Sequence, residues 1–184
     1  MMKLCGGKMQ RVSFVEKDQA HPKTKETYEQ IEKNGWQLSN IFKVMGHCPY
    51  IGLNFNRMGN SILRGEELSP KLRELAILRV GVLAQAEYEY THHVKIGLEA
   101  GVSQRQIDKI SDWAASAEFN EQERAVLGYT DEVTQSFGAK DKTFARLKEF
   151  FSEHEIVELT TVIGFYNMVC RILVALRIEL EPDA

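Results

Sequence analysis

The sequence predicts an all-α protein. Two observations carry this: helix start and stop signals recur along the 184 residues, and convincing strand alternation is hard to find. With 43% hydrophobic residues, the chain can bury one sizeable core. A single helical domain is therefore expected over residues 21–184, preceded by an N-terminal extension of residues 1–20.

The elements follow from local chemistry. Residues 23–34 read as a first helix ended by Gly35, and Cys48-Pro49 breaks the short apolar segment after it. Residues 50–64 form a second, longer helix stopped near Gly65, although Gly52 and Gly59 weaken it. Ser69-Pro70 places a cap before a proline in the first helical position, and Leu72, Leu75, Ala76, Leu78 and Val82 continue at helical spacing. The next helix spans residues 87–100 and stops at Gly101, with Val94, Ile96 and Leu98 supplying much of its apolar surface. Ser103 caps a short successor through Ile110. Asn120-x-x-Glu123 and Ser152-x-x-Glu155 have the capping-box form and open helices over residues 121–137 and 153–176. The last is apolar nearly all round, from Ile156 through Val162, Ile163, Phe165, Val169, Ile172, Leu173 and Leu176. A helix of that kind is buried in a bundle or against a second subunit, so a homo-oligomer (dimer, trimer or hexamer) is expected.

Composition narrows the function. A formal net charge of -3, with both signs mixed along the chain, leaves no basic stripe for a nucleic acid. Residues 1–14 lack the apolar region of a signal peptide, and no stretch is read as reaching the roughly 20 apolar residues of a membrane span. No membrane association is expected. The thiols Cys5, Cys48 and Cys170 are odd in number, far apart and without any Cys-x-x-Cys, which suits a reducing cytoplasm.

Chemistry concentrates in Glu74-Leu75-Ala76-Ile77-Leu78-Arg79 and Ala86-Glu87-Tyr88-Glu89-Tyr90-Thr91-His92-His93. Glu89 and His93 stand four apart, on one face of a helix and within reach of a shared proton or ligand; Glu74 comes from the helix before. Each also has a plainer reading. Glu74 suits the solvated side of an amphipathic helix, Glu89 suits a helix first turn where negative charge meets the dipole, and His93 suits a satisfied structural position. His92 points about 100° away from His93 and is taken as surface or interface. Tyr88 and Tyr90 flank Glu89 as pocket walls or core. His47 reads as structural, and His21 and His154 as terminal or capping.

These residues resemble the carboxymuconolactone decarboxylase family, which also contains the alkylhydroperoxidase D-like proteins. In that family a Glu on one helix precedes a Cys-x-x-Cys-x-x-x-His motif that opens the next. Here the Glu falls on Glu74, the first Cys on Ala86, the second on Glu89 and the His on His93. The lead-in Leu68-Ser69-Pro70-Lys71-Leu72-Arg73 and the run Glu158-Leu159-Thr160-Thr161-Val162-Ile163-Gly164-Phe165-Tyr166-Asn167-Met168 extend the likeness over most of the chain after about residue 20. The resemblance implies an alkylhydroperoxidase D-like helical bundle with Glu74, Glu89 and His93 as catalytic residues. Tyr88, Tyr166 and Asn167 are candidate substrate contacts, the last two also readable as helix packing.

With both thiol positions vacant, the thiolate attack used by peroxidase members has no local nucleophile. Cofactor-free decarboxylation or proton transfer on a small carboxylated ring compound needs only an acid, a base and compensation for negative charge, for which Arg79 or Arg171 is the candidate. In this leading reading no metal or cofactor takes part. Three alternatives remain: a peroxidase using Cys48, Cys170 or a partner's thiol; a metal site of Glu74, Glu89 and His93; and a non-catalytic oligomeric module.

Overall fold

The computed structural model describes residues 10–182 as nine α-helices, a 3₁₀ turn and their connections, with no strand among them. The chain divides into two compact units, residues 1–60 with 173–184, and residues 61–172. Cys5 lies outside the described residues.

In the first unit, α1 (Pro22–Lys33) starts on a proline, and His21 caps it by accepting the Lys23 N–H on Nδ1 at 3.1 Å. α2 (Asn40–Met45) occupies the apolar segment that the sequence left without an element; six residues are too few for periodicity to register. α3 (Pro49–Arg64) begins here. Residues 10–20 are not helical, yet they are tied in: Arg11 N–H donates to the Leu176 carbonyl at 3.0 Å and Val15 N–H to that of Lys43 at 3.1 Å.

The second unit is organised around α4 (Pro70–Leu83). Every residue from 72 to 81 is buried, so the helix has no solvated face and its three charged side chains there must find partners inside. Its expected cap is only positional, because the Ser69 side chain makes no capping hydrogen bond. α5 (Glu87–Glu99), α7 (Glu121–Ser136) and the 3₁₀ turn Ile110–Ala115 pack on α4, with α8 (Asp141–Lys148) on α7. α8 has no counterpart in the sequence-based expectation: it is eight residues long and only Leu147 among them is buried. α6 (Gln104–Lys109) and α7 carry capping boxes from Ser103 and Asn120, and Ser152 with Glu155 forms another at α9 (Glu153–Leu176).

Two expectations are corrected. Leu98 is exposed rather than part of the apolar surface of α5, whose buried residues are Tyr88, Glu89, His93 and Gly97. By length and composition α9 is apolar enough to cross a membrane, against the expectation that no stretch reaches that length; half of its most apolar window is buried inside the protein. That is also the behaviour of a core helix.

Arg79 binds α4 to its neighbours. Its Nε and Nη2 fork onto the Asp131 carboxylate of α7 at 2.6 and 3.1 Å, while Nη1 donates to the carbonyls of Ile110 and Ser111 at 3.0 and 2.9 Å. Trp113 Nε1 donates to the same carboxylate at 3.1 Å. Asp131→Ala would strand this guanidinium, and denaturant unfolding should register a loss near the lower end of the roughly 3–5 kcal/mol typical of broken buried pairs. A loss within ~0.5 kcal/mol, the range of ordinary surface changes, would show that the clamp carries no stability.

Candidate active site

A buried carboxylate, an imidazole and a second carboxylate stand in line. α4 supplies Glu74 and α5 supplies Glu89 in its first turn and His93 one turn later. The two helices join through a tight turn in which Gln85 takes φ 52° and Ala86 N–H donates to the Gly81 carbonyl at 2.9 Å. Gly97, one turn beyond His93, lets α5 approach closely: a Cβ there would lie 3.3 Å from Leu78 Cδ1 and 3.8 Å from Glu74 Cβ.

The imidazole is held at both nitrogens. His93 Nδ1 lies 2.7 Å from Glu74 Oε2, and Nε2 lies 3.0 Å from Glu89 Oε1. Glu74 is 0%, Glu89 5% and His93 6% exposed, so water competes for none of these contacts. The Tyr166 ring from α9 stands edge-on to the imidazole, with centroids 4.9 Å apart. Behind Glu74, Arg73 Nε donates to Oε1 at 3.1 Å. The line thus runs Arg73, Glu74, His93, Glu89.

Electrostatics follow from this arrangement. Burial taken alone penalises a charged imidazole, but the hydrogen bonds and charges of Glu74 and Glu89 outweigh it and push His93 up to about 9. At neutral pH it is an imidazolium between two carboxylates, and with Arg73 the four formal charges cancel. Burial, then the charges of Glu89 and Glu74, drives the Tyr166 hydroxyl well above its ordinary value of 10, so it stays protonated. A single cation cannot be liganded by all three central groups, because the carboxylates occupy opposite nitrogens of one ring; among the described residues no group of three or more His, Cys, Asp or Glu is gathered around a metal position.

The remaining candidates are placed as follows. Tyr88 is buried and packs on His92 at 4.6 Å, one residue out of register with the Glu89–His93 pair. Asn167 donates to Thr134 Oγ1 at 2.9 Å and to the Ile163 carbonyl at 3.0 Å, a packing role. Tyr90 donates to the Ile107 carbonyl at 3.2 Å. Ala86, buried at the N-terminus of α5, brings no functional group. His47 meets the Ser13 carbonyl at 2.9 Å, and His154 pairs with Glu66 at 2.9 Å on the surface.

The compensating charge is a correction. Arg79 is committed to Asp131, and Arg171 bonds Asn167; Arg73 is the cation beside Glu74. Two adjacent opposite charges inside an apolar helical run were the signal available. Cys170, named among the thiols of the peroxidase alternative, is buried one helical turn after Tyr166 and within electrostatic reach of Glu89. Burial first, then that carboxylate, raises its pKa, so it is a thiol rather than a thiolate. Cys48 is exposed, and neither thiol is in a disulfide.

Comparison with known proteins agrees on family and fold. The carboxymuconolactone decarboxylase family matches residues 49–132. The chain is 31% identical to a protein of unknown function from Agrobacterium tumefaciens proposed to be the antioxidant defence protein AhpD; the match covers 74% of this chain and 94% of that one, with a TM-score of 0.70. A peroxidase-related protein from Ralstonia eutropha with an alkylhydroperoxidase AhpD core shares the fold at 16% identity, over 97% of this chain and 95% of its own, with a TM-score of 0.82. The debrominase Bmp8 does so at 20% identity, over 93% and 92%, with a TM-score of 0.78. No functionally curated sequence is significantly similar.

The state of His93 has a consequence for stability. Because its pKa is raised from 6.5 to about 9 on folding, the stabilisation is complete below about 6.5 and is lost as pH rises through about 9. The stability advantage of wild type over His93→Gln should shrink by about 3 kcal/mol between pH 6 and pH 10. A difference independent of pH in denaturant titrations would contradict the imidazolium assignment.

Proposed function

The chain belongs to the carboxymuconolactone decarboxylase family, within the AhpD-like group, and on that basis we propose that it is a cofactor-free acid–base enzyme acting on a small carboxylated ring compound. The observation that carries this reading is the sulfur-free line of Glu74, His93 and Glu89, buried and joined by hydrogen bonds of 2.7 and 3.0 Å.

In a decarboxylation, the bond between the ring carbon and the carboxylate breaks, carbon dioxide leaves, and the electron pair passes into the conjugated carbonyl system. The carbanionic carbon then takes a proton. His93 is poised to supply it because it is protonated at neutral pH, and Glu89 on Nε2 is the group through which the proton travels or, in an isomerisation, the base that first removes one. Glu74 keeps the ring oriented from Nδ1, while Arg73 offsets the negative charge of the two carboxylates. Tyr166 closes one side of the ring. A homo-oligomer is part of this reading, supported by exposed apolar Val157 and Met168 on α9.

Turnover of muconolactone-type acids tests it. Replacing a general acid–base residue typically removes a factor of about 10²–10⁴, so His93→Ala should lose that much kcat and Glu89→Gln a comparable share. Equal rates in wild type and His93→Ala would remove His93 from the mechanism.

The name of the Agrobacterium relative suggests antioxidant chemistry. Against it, the thiol near the site, Cys170, is held protonated, whereas peroxide attack needs a thiolate. Peroxide consumption by wild type should match that of a variant lacking all three cysteines. A rate that vanishes with Cys170→Ser would instead favour the thiol route.

A further inference from the structure

A decarboxylation at this site leaves one charge to be met. When the bond to the carboxylate breaks, the electron pair comes to rest on the oxygen of the conjugated carbonyl, and a sheltered oxyanion needs a hydrogen-bond donor beside it. The arginines do not supply that donor. Arg79 is spent on Asp131 and on the carbonyls of Ile110 and Ser111, Arg171 is held by Asn167, and Arg73 lies behind Glu74, on the far side from the imidazole. His93 is committed to carbon, which must receive its proton.

Tyr166 is placed differently from the other tyrosines. The hydroxyls of Tyr28 and Tyr90 donate to the carbonyls of Val15 and Ile107, and that of Tyr129 pairs with Thr160 Oγ1. Tyr166 is 4% exposed, yet its hydroxyl has no hydrogen-bond partner among the described residues. Packing against His93 and Phe165 would be served equally well by phenylalanine, so a buried hydroxyl here needs another explanation. That oxygen is not enclosed. Among the described residues, Arg73 Nη1 is the fully enclosed side-chain polar atom that lacks a partner, so the small surface Tyr166 retains includes its hydroxyl oxygen. Glu74 is sealed completely, whereas Glu89, His93 and Tyr166 each keep a sliver of surface. The line is therefore closed at Glu74 and open at the end where Tyr166 stands, with its ring 4.9 Å from the imidazole and its hydroxyl within electrostatic reach of Glu89.

We propose, on the reading of catalysis given above, that Tyr166 is a further catalytic residue, its hydroxyl donating a hydrogen bond to the carbonyl oxygen of the substrate as that oxygen takes up negative charge. Carbon dioxide leaves without the electron pair, the pair moves onto the oxygen beneath Tyr166, and it then returns to carbon to form the new bond to the proton from His93. Water restores the imidazolium through Glu89. Tyr166 keeps its own proton throughout, because burial and the two carboxylates hold it protonated, and a neutral donor leaves the four formal charges of the line balanced. The substrate class narrows accordingly: acids whose carboxylate-bearing carbon is conjugated to a carbonyl can use this donor, and ring carboxylates without a carbonyl cannot.

Tyr166→Phe removes the hydroxyl and keeps the ring. No protein hydrogen bond is lost, so Tm and the ¹⁵N imidazole signals of His93 should stay at their wild-type values. With muconolactone-type acids kcat should fall by about 10²–10³, the range for loss of one oxyanion donor, while KM changes little. A wild-type kcat in Tyr166→Phe would overturn the proposal, and so would a loss accompanied by shifted His93 signals, which would mean that the hydroxyl acts through the imidazole. If wild type turns over none of these acids, the reading of catalysis fails on its own, and the donor is judged by binding of 4-nitrophenolate, a stable oxyanion on a small ring, followed by its visible absorbance. Wild type should then bind it about 10-fold or more tightly than Tyr166→Phe, as for a hydrogen bond to a charged group. Equal binding by the two proteins, or binding by neither, would show that the hydroxyl is no oxyanion donor.

Discussion

The contact between Glu74 and His93 governs this site. A fully buried carboxylate and a nearly buried imidazole at 2.7 Å can persist only if each compensates the other's lost hydration, and neither does so alone. The imidazole needs Glu89 on its other nitrogen, and Glu74 needs Arg73 on its other oxygen. Removing any one member leaves a bare charge in a low-dielectric interior. Filling the same space with apolar side chains would be as stable or more so, so stability alone does not account for four charged groups here.

The fold meets this requirement through α4, buried on every side along residues 72–81. Such a helix cannot send its charged residues to solvent, so Arg73, Glu74 and Arg79 are all resolved inside: two in the acid–base line and one as the clamp onto α7. The four-residue spacing of Glu89 and His93 then places the second carboxylate on the imidazole with no further device. Gly97 sets how near α5 comes to α4. Without a thiol at the positions of Ala86 and Glu89, the arrangement keeps the proton-handling groups that the family resemblance implies and drops the nucleophile.

Much of this was legible in the residues, and for physical reasons. Capping boxes at Asn120 and Ser152 and the Ser69-Pro70 start located three helices because such signals are local. The grouping of Glu74, Glu89 and His93 was legible from helical spacing and from the family motif. What the sequence did not disclose depends on tertiary contact. α2 and α8 are too short for periodicity to register, and the left-handed turn at Gln85 has no glycine to announce it. Whether Arg73, Arg79 or Arg171 faced the carboxylates was a question of packing. The burial of Cys170 near Glu89 came from α9, far away in sequence.

The central claim is that His93 rests as an imidazolium clasped by two carboxylates. Neutron diffraction from crystals grown near neutral pH tests it most directly, because it locates deuterium on each ring nitrogen. The account requires deuterons on both Nδ1 and Nε2, directed at Glu74 and Glu89; a bare nitrogen on that ring would contradict it.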